Sequence, residues 1–489
     1  MTAARDCDIL IVGGGPAGVT LGLVAARHGA SVIICEREAD IYPLPRAAHV
    51  DHEVMRIFQG VGAADAIAAT SRTSPYYDFL NADGEILLRF EGSDRIGPGG
   101  WPGGNMIHQP SVEQALRAKL AAQDGAELRT GWAFQSFTEA ADSVTAEFAT
   151  AEGIRSLHAQ YLVGADGTRS PVRKGAGIAL EDLAFDEPWL VIDAIVHDHE
   201  RLPKVNLQIC DPARPTTCVL MGAGRHRWEF MMLPGETAEQ VVKDSFVEAL
   251  LEHWNVKGAV TLERKAVYRF NARVAAQWRK GRVLLAGDAA HQTPPFAGQG
   301  MCAGVRDADN LGWKLAAVVR DDTSETLLDS YQAEREPHVR ATIDMAIMMG
   351  RTVCITDPEA ARMRDTQMLA ARAAGQSPDG NLAYPPIASG MIMDGSAGAG
   401  SYFPQFRAND GARMDDVLGS GVWLIGRTAD PDAEAIPLDD PRLAPFAKDL
   451  AKWLDTHQAE AVLVRPDHQV FGTGTTRMLS RAWRDALTS

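Results

Sequence analysis

Cysteine is scarce in this sequence, with six residues scattered among 489 and no CxxC pair. Such spacing offers no disulfide framework and is typical of a protein kept in a reducing compartment. No continuous apolar run reaches the roughly 18–20 residues of a membrane-spanning helix. The first residues, MTAARDCDILIVGGG, lack the basic and then apolar pattern of a secretory signal. These absences predict a soluble, cytoplasmic protein without a membrane span.

Basic residues are also outnumbered, at 48 Lys+Arg against 64 Asp+Glu, which gives a formal net charge of −16. Binding to nucleic acid requires a surplus of cations against the phosphates, so no nucleic-acid partner is expected. The histidine pairs His49/His52 and His197/His199 have no third ligand at a recognisable spacing, and no metal site is predicted. The sequence also lacks a G-x-S-x-G elbow and a G-x-x-x-x-G-K-[ST] loop, which excludes the usual serine hydrolases and P-loop enzymes.

The N-terminus carries a pattern typical of a dinucleotide-binding βαβ unit. A buried strand is predicted over 8–12, a helix over 19–28 and a second strand over 31–35. The segment between strand and helix is Gly-Gly-Gly-Pro-Ala-Gly, and its glycines at 13, 15 and 18 match G-x-G-x-x-G.

Each residue of this fingerprint has a physical task. Gly13 permits the tight turn, Gly15 lets the backbone approach a pyrophosphate, and Gly18 lets helix and strand pack closely. The N–H groups at the start of the helix attract phosphate. Glu36, at the end of the second strand, can accept hydrogen bonds from a ribose diol. The pattern predicts a dinucleotide without separating FAD from NAD.

Two later motifs resolve that choice. One is YLVGADGTRSPVR at 161–173, and the other is GRVLLAGDAAHQTPPFAGQGMCAGVRDADNLGWK at 281–314. With the N-terminal fingerprint, they resemble the three signature motifs of the group A FAD-dependent aromatic hydroxylases, which have the p-hydroxybenzoate hydroxylase fold. The resemblance covers residues 6 to about 350. Segments 45–59 and 208–236 are similar to the 3-(3-hydroxyphenyl)propionate hydroxylase branch and, more loosely, to the polyketide hydroxylases.

The resemblance implies specific contacts with FAD. Asp288 would hold a ribityl hydroxyl, and backbone N–H groups from Gly298 to Met301 would face the pyrimidine edge of the flavin. Pro294 and Pro295 would line the ring where oxygen reacts. Fingerprint and resemblance together predict these cofactor-binding residues: Gly13, Gly15, Pro16, Ala17, Gly18, Glu36, Arg37, Arg46, Gln109, Asp166, Arg169, Gly287, Asp288, Pro295, Gly298, Gly300 and Met301.

The family chemistry implies NAD(P)H as co-substrate. Because the sequence has no second nucleotide fingerprint, the nicotinamide would bind transiently over the same flavin. Reduced flavin would react with O2 to give a C4a-hydroperoxide, which hydroxylates a phenolic ring. The catalytic candidates are His49 and Pro295, although a structural histidine is the common alternative. Arg214, Arg225, Arg227 and Trp228 are candidates for binding the substrate, against solvated arginines and a core tryptophan. Since the predicted substrate and the nicotinamide are both anionic, we expect the site to be locally basic.

The predicted fold class is α/β, with a Rossmann-like FAD-binding domain interrupted by a β-sheet substrate domain. The FAD-binding domain is assigned to 1–75, 105–180 and 265–350, and the substrate domain to 76–104 and 181–264. A helix and linker follow over 351–400, with a helical pattern from 315 to 351 broken near Pro337. The last unit, 401–489, resembles a thioredoxin-like C-terminal domain but has no CxxC, so no redox role is expected.

The leading hypothesis is an NAD(P)H-dependent flavoprotein monooxygenase that hydroxylates a hydroxyphenyl-propionate-like acid. One alternative is a polyketide-type aromatic hydroxylase or Baeyer–Villiger monooxygenase on the same fold. Another, from a different class, is a non-catalytic flavin-binding redox sensor. The choice between NADH and NADPH, and assembly into a homodimer, stay open at this point.

Overall fold

The N-terminal apolar run forms the centre of a parallel sheet in the computed structural model, which describes residues 5–320, 323–377, 384–430 and 432–488. The strand Cys7–Val12 leads into the helix Pro16–Arg27 and then into the parallel strand Val32–Glu36. The helix begins three residues before the predicted start because Pro16 occupies its first turn, where a missing N–H costs nothing. This βαβ unit confirms the Rossmann-like prediction.

The first sheet has eight strands, and its central pairs are parallel. Their spatial order is Arg279–Lys280, Val283–Leu285, Gly153–Gly164, Cys7–Val12, Val32–Glu36 and Ala126–Thr130, with Val144–Thr150 and then Ala133–Glu139 attached to Gly153–Gly164. All three sequence motifs follow strands of this sheet. The fold therefore gathers the motifs at one sheet edge, as expected when parallel strands end together.

The second sheet also has eight strands. Their order is His291–Gln292, Val260–Ala275, Leu180–Val196, Arg225–Met231, Thr216–Met221, Asn206–Ile209, Tyr76–Leu80 and Ile86–Glu91. One side packs on a separate apolar cluster that includes Trp228 and Phe230. The strand Val260–Ala275 crosses the predicted domain boundary between 264 and 265.

The C-terminal unit contains a four-stranded sheet in the order Ile436–Pro437, Trp423–Gly426, Ala461–Val464 and Val470–Gly474. The short apolar runs at 422–425 and 461–464 predict two strands from the sequence, and both correspond to members of this sheet. Its thioredoxin-like nature stays a prediction. Of the predicted linker, residues 378–383 lie outside the described residues.

The remaining regular elements are one short two-stranded sheet and the helices. The short sheet pairs His49–Asp51 with Gly104–Met106. The helices are Pro16–Arg27, His52–Gly60, Ala64–Ala68, Gln109–Ala121, Pro171–Gly175, Ala238–Val241, Asp244–Glu252, Gly300–Val319, Asp329–Val353, Pro358–Ala373, Met414–Leu418, Ala447–Thr456 and Thr476–Thr488. Among the residues described, no helix is long and apolar enough to span a bilayer.

The predicted break near Pro337 is wrong, because the helix Asp329–Val353 runs through this proline. Proline has no N–H to offer the carbonyl one turn earlier, which belongs to Ala333. The hydroxyl of Ser389 donates to that carbonyl at 2.9 Å. A tertiary hydrogen bond thus replaces the missing helical one.

A buried group of charges, here called the joining cluster, connects the C-terminal unit to the FAD-binding domain. Its members are Lys314, Glu334, Arg465 and Asp467. Glu334 lies 2.7 Å from both the Lys314 ammonium and the Arg465 guanidinium, and Arg465 lies 2.6 Å from Asp467. Burial alone would raise the pKa of Glu334, but Arg465 and Lys314 hold it well below its ordinary value. Every charge in this cluster has a close partner of opposite sign.

Candidate active site

The N-terminal glycines form an open cradle at the start of the first helix. Gly13 has φ +111°, and a Cβ there would lie 2.3 Å from the carbonyl oxygen of Ala165. A Cβ on Gly18 would lie 2.0 Å from the carbonyl oxygen of Gly13, so helix and turn are in close contact. Gly15 differs, because a Cβ there meets nothing within 4 Å. In the described structure no side chain caps this helix, so its first N–H groups face the open space beside Gly15.

The acidic residue of the fingerprint is fixed next to this cradle. The Glu36 carboxylate accepts from the Gly14 N–H at 2.7 Å and from the Glu38 N–H at 2.9 Å. Arg117, which no sequence motif indicated, donates to the Gly14 carbonyl at 3.0 Å. Arg37, a predicted cofactor residue, is exposed and contacts Glu38 at 3.1 Å. The cradle thus combines uncapped N–H groups, a fixed carboxylate and a nearby cation, which would suit a ribose and a phosphate.

The second motif is held by hydrogen bonds within itself and to the third motif. Asp166 accepts from the Val172 N–H at 3.0 Å, and its other carboxylate oxygen is buried with no hydrogen-bond partner among the described residues. Burial raises the pKa of this carboxyl, while Ser170 opposes the shift. Arg169 is exposed, whereas Arg173 is buried and donates to the carbonyls of Ala289 and Thr168 at 2.8 and 3.1 Å. Arg173, missed from the sequence, ties this motif to the third.

The third motif presents a carboxylate in a recess. Gly287 turns with φ +60°, and its N–H donates to Asp307, which also meets His291 at 2.6 Å. Asp288 is solvent-accessible, yet the protein surrounds it closely enough that desolvation raises the pKa of its carboxyl, against the positive charge of Arg46. An accessible acceptor in a recess of this kind fits a sugar hydroxyl. His291 packs beside Trp278, with ring centroids 5.2 Å apart, and is held by Asp307.

The Pro-Pro loop leads into the 20-residue helix Gly300–Val319. Pro295–Ala297 form one tight turn, Gly298 takes φ +64°, and the helix Gly300–Val319 begins with no side-chain cap in the described chain. His49 lies 3.3 Å from the Gly298 carbonyl through Nδ1. Because a carbonyl only accepts, Nδ1 carries the proton in this contact, and burial lowers the pKa of His49. His49 thus supports the loop through the Gly298 carbonyl.

A second loop, Pro45–Ala47, is held by two predicted residues. The side-chain oxygen of Gln109 accepts from the N–H groups of Arg46 and Ala47 at 3.1 and 2.7 Å. Arg227 donates to the carbonyls of Pro45 and Arg46 at 2.8 and 2.7 Å. The Arg46 side chain is exposed and stacks over Tyr42, 5.3 Å from the ring centre. Gln109 and Arg227 therefore position Arg46.

The face of the second sheet that looks toward these loops carries a buried group of charges, here called the sheet-face cluster: Asp193, Arg227, Glu229 and Arg264. Asp193 contacts Arg227 at 2.7 Å and Arg264 at 2.5 Å. Glu229 lies 3.6 Å from Arg227. The strand pattern contains two acids and two arginines on one face, so the cluster is neutral overall. Of these four, only Arg227 was indicated by the sequence.

The other substrate-binding candidates have partners within the protein. Arg214 forms a bidentate pair with Glu236 at 2.6 and 3.0 Å, and Arg225 pairs with Glu263 at 2.8 and 2.9 Å. Trp228 is fully buried in the apolar cluster on the far side of the sheet. The contacts of each of these three residues therefore explain its presence without a substrate. The expected excess of positive charge is therefore absent from this described part of the sheet.

Comparison with known proteins identifies the family. A family model described as an FAD-binding domain matches residues 6–346. The chain belongs to the FAD-binding monooxygenases. It is 37% identical to the "Probable NADH-specific resorcinol 4-hydroxylase" of Rhodococcus jostii (strain RHA1), over 96% of this chain and 92% of that protein. It is 33% identical to the 3-(3-hydroxy-phenyl)propionate/3-hydroxycinnamic acid hydroxylase of Mycolicibacterium gilvum (strain PYR-GCK), over 96% and 89%.

A solved structure of similar fold is that of the flavin-dependent monooxygenase PieE in complex with FAD and substrate. It shares 23% identity, covers 99% of this chain and all of that one, and has a TM-score of 0.81. The predicted family, the p-hydroxybenzoate hydroxylase fold and the cofactor are therefore confirmed. The protein is a flavoprotein aromatic hydroxylase that uses FAD and a nicotinamide reductant.

The observed residues fit FAD on physical grounds. The open cradle at Gly15 would offer an N–H cluster to the pyrophosphate, and the fixed Glu36 carboxylate and the recessed Asp288 would accept from sugar hydroxyls. The uncapped start of the helix Gly300–Val319 offers further N–H groups, within the described residues, to a negatively charged ring edge. When bound, FAD supplies the redox and oxygen-activating chemistry, and the protein holds it and excludes water.

Proposed function

We propose that this hydroxylase acts on single-ring phenols and that NADH is its reductant. The observation that carries the proposal is the buried, polar but neutral sheet face that looks toward two loops, Pro45–Ala47 and the Pro-Pro loop. We call these two loops the flavin-side loops. Its polar side chains include Tyr77 and Thr217, which both donate to the side-chain oxygen of Gln208. Such a face can orient a hydroxylated ring by hydrogen bonds.

Two substrate classes follow from this proposal. The first is the hydroxyphenyl-propionate-like acid predicted from the sequence, whose carboxylate would need a cation such as Arg46. The second is an uncharged dihydroxybenzene resembling resorcinol. The neutral charge of the sheet-face cluster favours the second, because both of its arginines already contact Asp193.

His49, Pro295 and Arg46 take supporting roles in this proposal. His49 and the Pro295 turn fix the Gly298 carbonyl and the start of the following helix, where the flavin would lie. Arg46 offers an exposed cation near Asp288. We propose that the C-terminal unit, whose thioredoxin-like fold remains a prediction, has a structural role. The described part of this unit contains no cysteine and therefore no redox pair.

A substrate panel tests this proposal. The purified flavoprotein is given NADH or NADPH with 3-(3-hydroxyphenyl)propionate, resorcinol or a polycyclic quinone. We expect NADH oxidation matched by one hydroxylated single-ring product and little hydrogen peroxide. Turnover of the polycyclic compound alone would support the polyketide-type or Baeyer–Villiger alternative. A ring-expanded lactone as product would separate the latter two.

A further inference from the structure

We propose that Glu229 is the catalytic base that accepts the proton of the substrate's phenolic hydroxyl. The inference rests on the proposed function and deepens it, because it names the residue that makes the ring electron-rich. It depends on where the strand Arg225–Met231 places this carboxylate, on what surrounds it and on what its neighbours already bind.

The position of Glu229 follows from two fixed points on the same sheet face. Trp189 pairs with Met231 and packs edge-on against Phe296 of the Pro-Pro loop, with centroids 5.6 Å apart. Arg227 binds the Pro45–Ala47 loop. Since side chains alternate along a strand, Glu229 shares their face and lies about 7 Å along the strand from either one. It therefore lies over the gap between the two flavin-side loops.

The partners of Arg227 are complete without Glu229. Its nitrogens reach the Asp193 carboxylate at 2.7 Å and the two loop carbonyls at 2.8 and 2.7 Å. The Glu229 oxygen is 3.6 Å away, beyond hydrogen-bond distance. No donor within the described residues forms a hydrogen bond with this carboxylate, although Glu229 is only 7% exposed. A largely buried carboxylate that accepts no hydrogen bond from the described protein is available to a donor from outside the chain, such as a substrate hydroxyl.

The surrounding charges keep this acceptor usable as a base. Burial raises the pKa of Glu229, and Asp193 raises it further, while Arg227 and Arg264 oppose both effects. Tyr77 faces Glu229 from the strand Tyr76–Leu80, and burial together with the Glu229 charge raises its pKa. Arg227 and Arg264 carry two positive charges and Asp193 carries one negative charge. The ionised Glu229 balances the remaining positive charge. A carboxyl with a raised pKa is a stronger base than an exposed one.

The proton transfer is balanced. The O–H bond of the phenol breaks, a new O–H bond forms on the Glu229 carboxylate, and no electron is exchanged. Negative charge moves from the carboxylate to the ring oxygen, where it activates the carbon positions ortho and para to that oxygen. The total charge of the buried face does not change, so no further counterion is required.

The first test is spectroscopic and independent of turnover. Nitrophenol, whose phenolate absorbs visible light, is added to the FAD-loaded protein at a pH where the free ligand is mostly protonated. The wild type should develop the phenolate band on binding, measured as a difference spectrum against FAD-loaded protein. Glu229→Gln should bind the ligand without that band. Glu181→Gln, an exposed carboxylate of the same sheet, is the matched control and should behave as wild type.

The second test uses the pH profile of hydroxylation. Glu229→Gln should lower the hydroxylation rate about 100-fold or more near neutral pH. The hydroxylation rate of this variant should recover as the pH approaches the phenol's own pKa of about 10, because the substrate then binds in its ionised form. A residue that only shapes the site would show no such recovery. If Glu229→Gln does not retain FAD, Glu229→Asp replaces it and should give a weaker phenolate band with normal FAD content.

The outcomes separate the two proposals. Equal phenolate bands and equal pH profiles in wild type and Glu229→Gln would overturn the role of Glu229 and leave the phenol hydroxylase standing. A wild type that hydroxylates phenols but binds nitrophenol only in its protonated form would do the same. A wild type that converts no single-ring phenol in the panel would overturn the proposed function, and the role of Glu229 with it.

Discussion

The joining cluster and the sheet-face cluster contain the same kinds of residue in equally buried settings, yet they are paired differently. In the joining cluster, Glu334 and Asp467 meet their cations at 2.6–2.7 Å. In the sheet-face cluster, Asp193 is bound as tightly, but Glu229 lies 3.6 Å from the nearest guanidinium. Burying a charge costs several kcal/mol unless close partners offset it. Complete pairing therefore marks a structural contact, and the incompletely paired carboxylate marks the place for a ligand.

The largest effect is expected in the joining cluster. Glu334→Ala removes the carboxylate partner of buried Lys314 and one of the two carboxylates that bind Arg465, and breaking such a network costs about 3–5 kcal/mol. We expect a much lower urea midpoint, followed by tryptophan fluorescence, with earlier loss of the C-terminal unit.

Glu200→Ala is the matched control, because its pair with Lys204 is exposed. It should unfold close to wild type, as surface ion pairs contribute little. Near-normal stability of Glu334→Ala would show that tight pairing in the joining cluster is not what holds the two units together.

The next largest effect is expected in the cradle, where the space beside Gly15 contains no protein atoms. Gly15→Ala adds a Cβ that meets no protein atom within 4 Å and requires no unusual φ. The apoprotein should fold normally, while the methyl group occupies space needed by the pyrophosphate and weakens FAD binding by about 1–3 kcal/mol. Titration of apoprotein with FAD, followed by flavin fluorescence, measures this loss.

Gly18→Ala provides the contrast, since its Cβ would lie 2.0 Å from the Gly13 carbonyl and should destabilise the apoprotein itself. If Gly15→Ala binds FAD as tightly as wild type, the cradle is not the pyrophosphate site.

Local sequence predicted the elements around the cradle, but it missed the sheet-face cluster. The run before Gly13 and the spacing to Glu36 are local, so their pattern indicated strand, turn and acid directly. Asp193, Glu229 and Arg264 lie on three strands far apart in sequence, and only pairing of those strands brings them together. The continuous helix at Pro337 has the same origin, because the compensating Ser389 lies 52 positions away (389 − 337). Cross-strand partners and tertiary hydrogen bonds leave no local signal.

A smaller effect is expected at His49. Its substitution distinguishes a residue that supports the Pro-Pro loop from one that transfers a proton. His49→Ala removes the contact with the Gly298 carbonyl and should raise hydrogen peroxide leakage by a few-fold, about 1 kcal/mol for one hydrogen bond. Oxygen uptake with and without catalase measures that coupling. Unchanged coupling and rate would remove His49 from the site, while a loss as large as that of Glu229→Gln with the same high-pH recovery would make it the base instead.

The smallest effect is expected at Arg214, whose ion pair is only partly buried and lies away from the sheet-face cluster. Arg214 is bound by Glu236 in a bidentate pair that also lowers the pKa of that carboxyl. Arg214→Met should therefore cost about 1 kcal/mol of stability or less and leave the KM for resorcinol and hydroxyphenylpropionate unchanged. Steady-state kinetics with both substrates checks this. A KM that rises for the carboxylate-bearing substrate alone would mean that a tightly paired arginine still serves a ligand, and pairing distance would then fail to separate structural charges from functional ones.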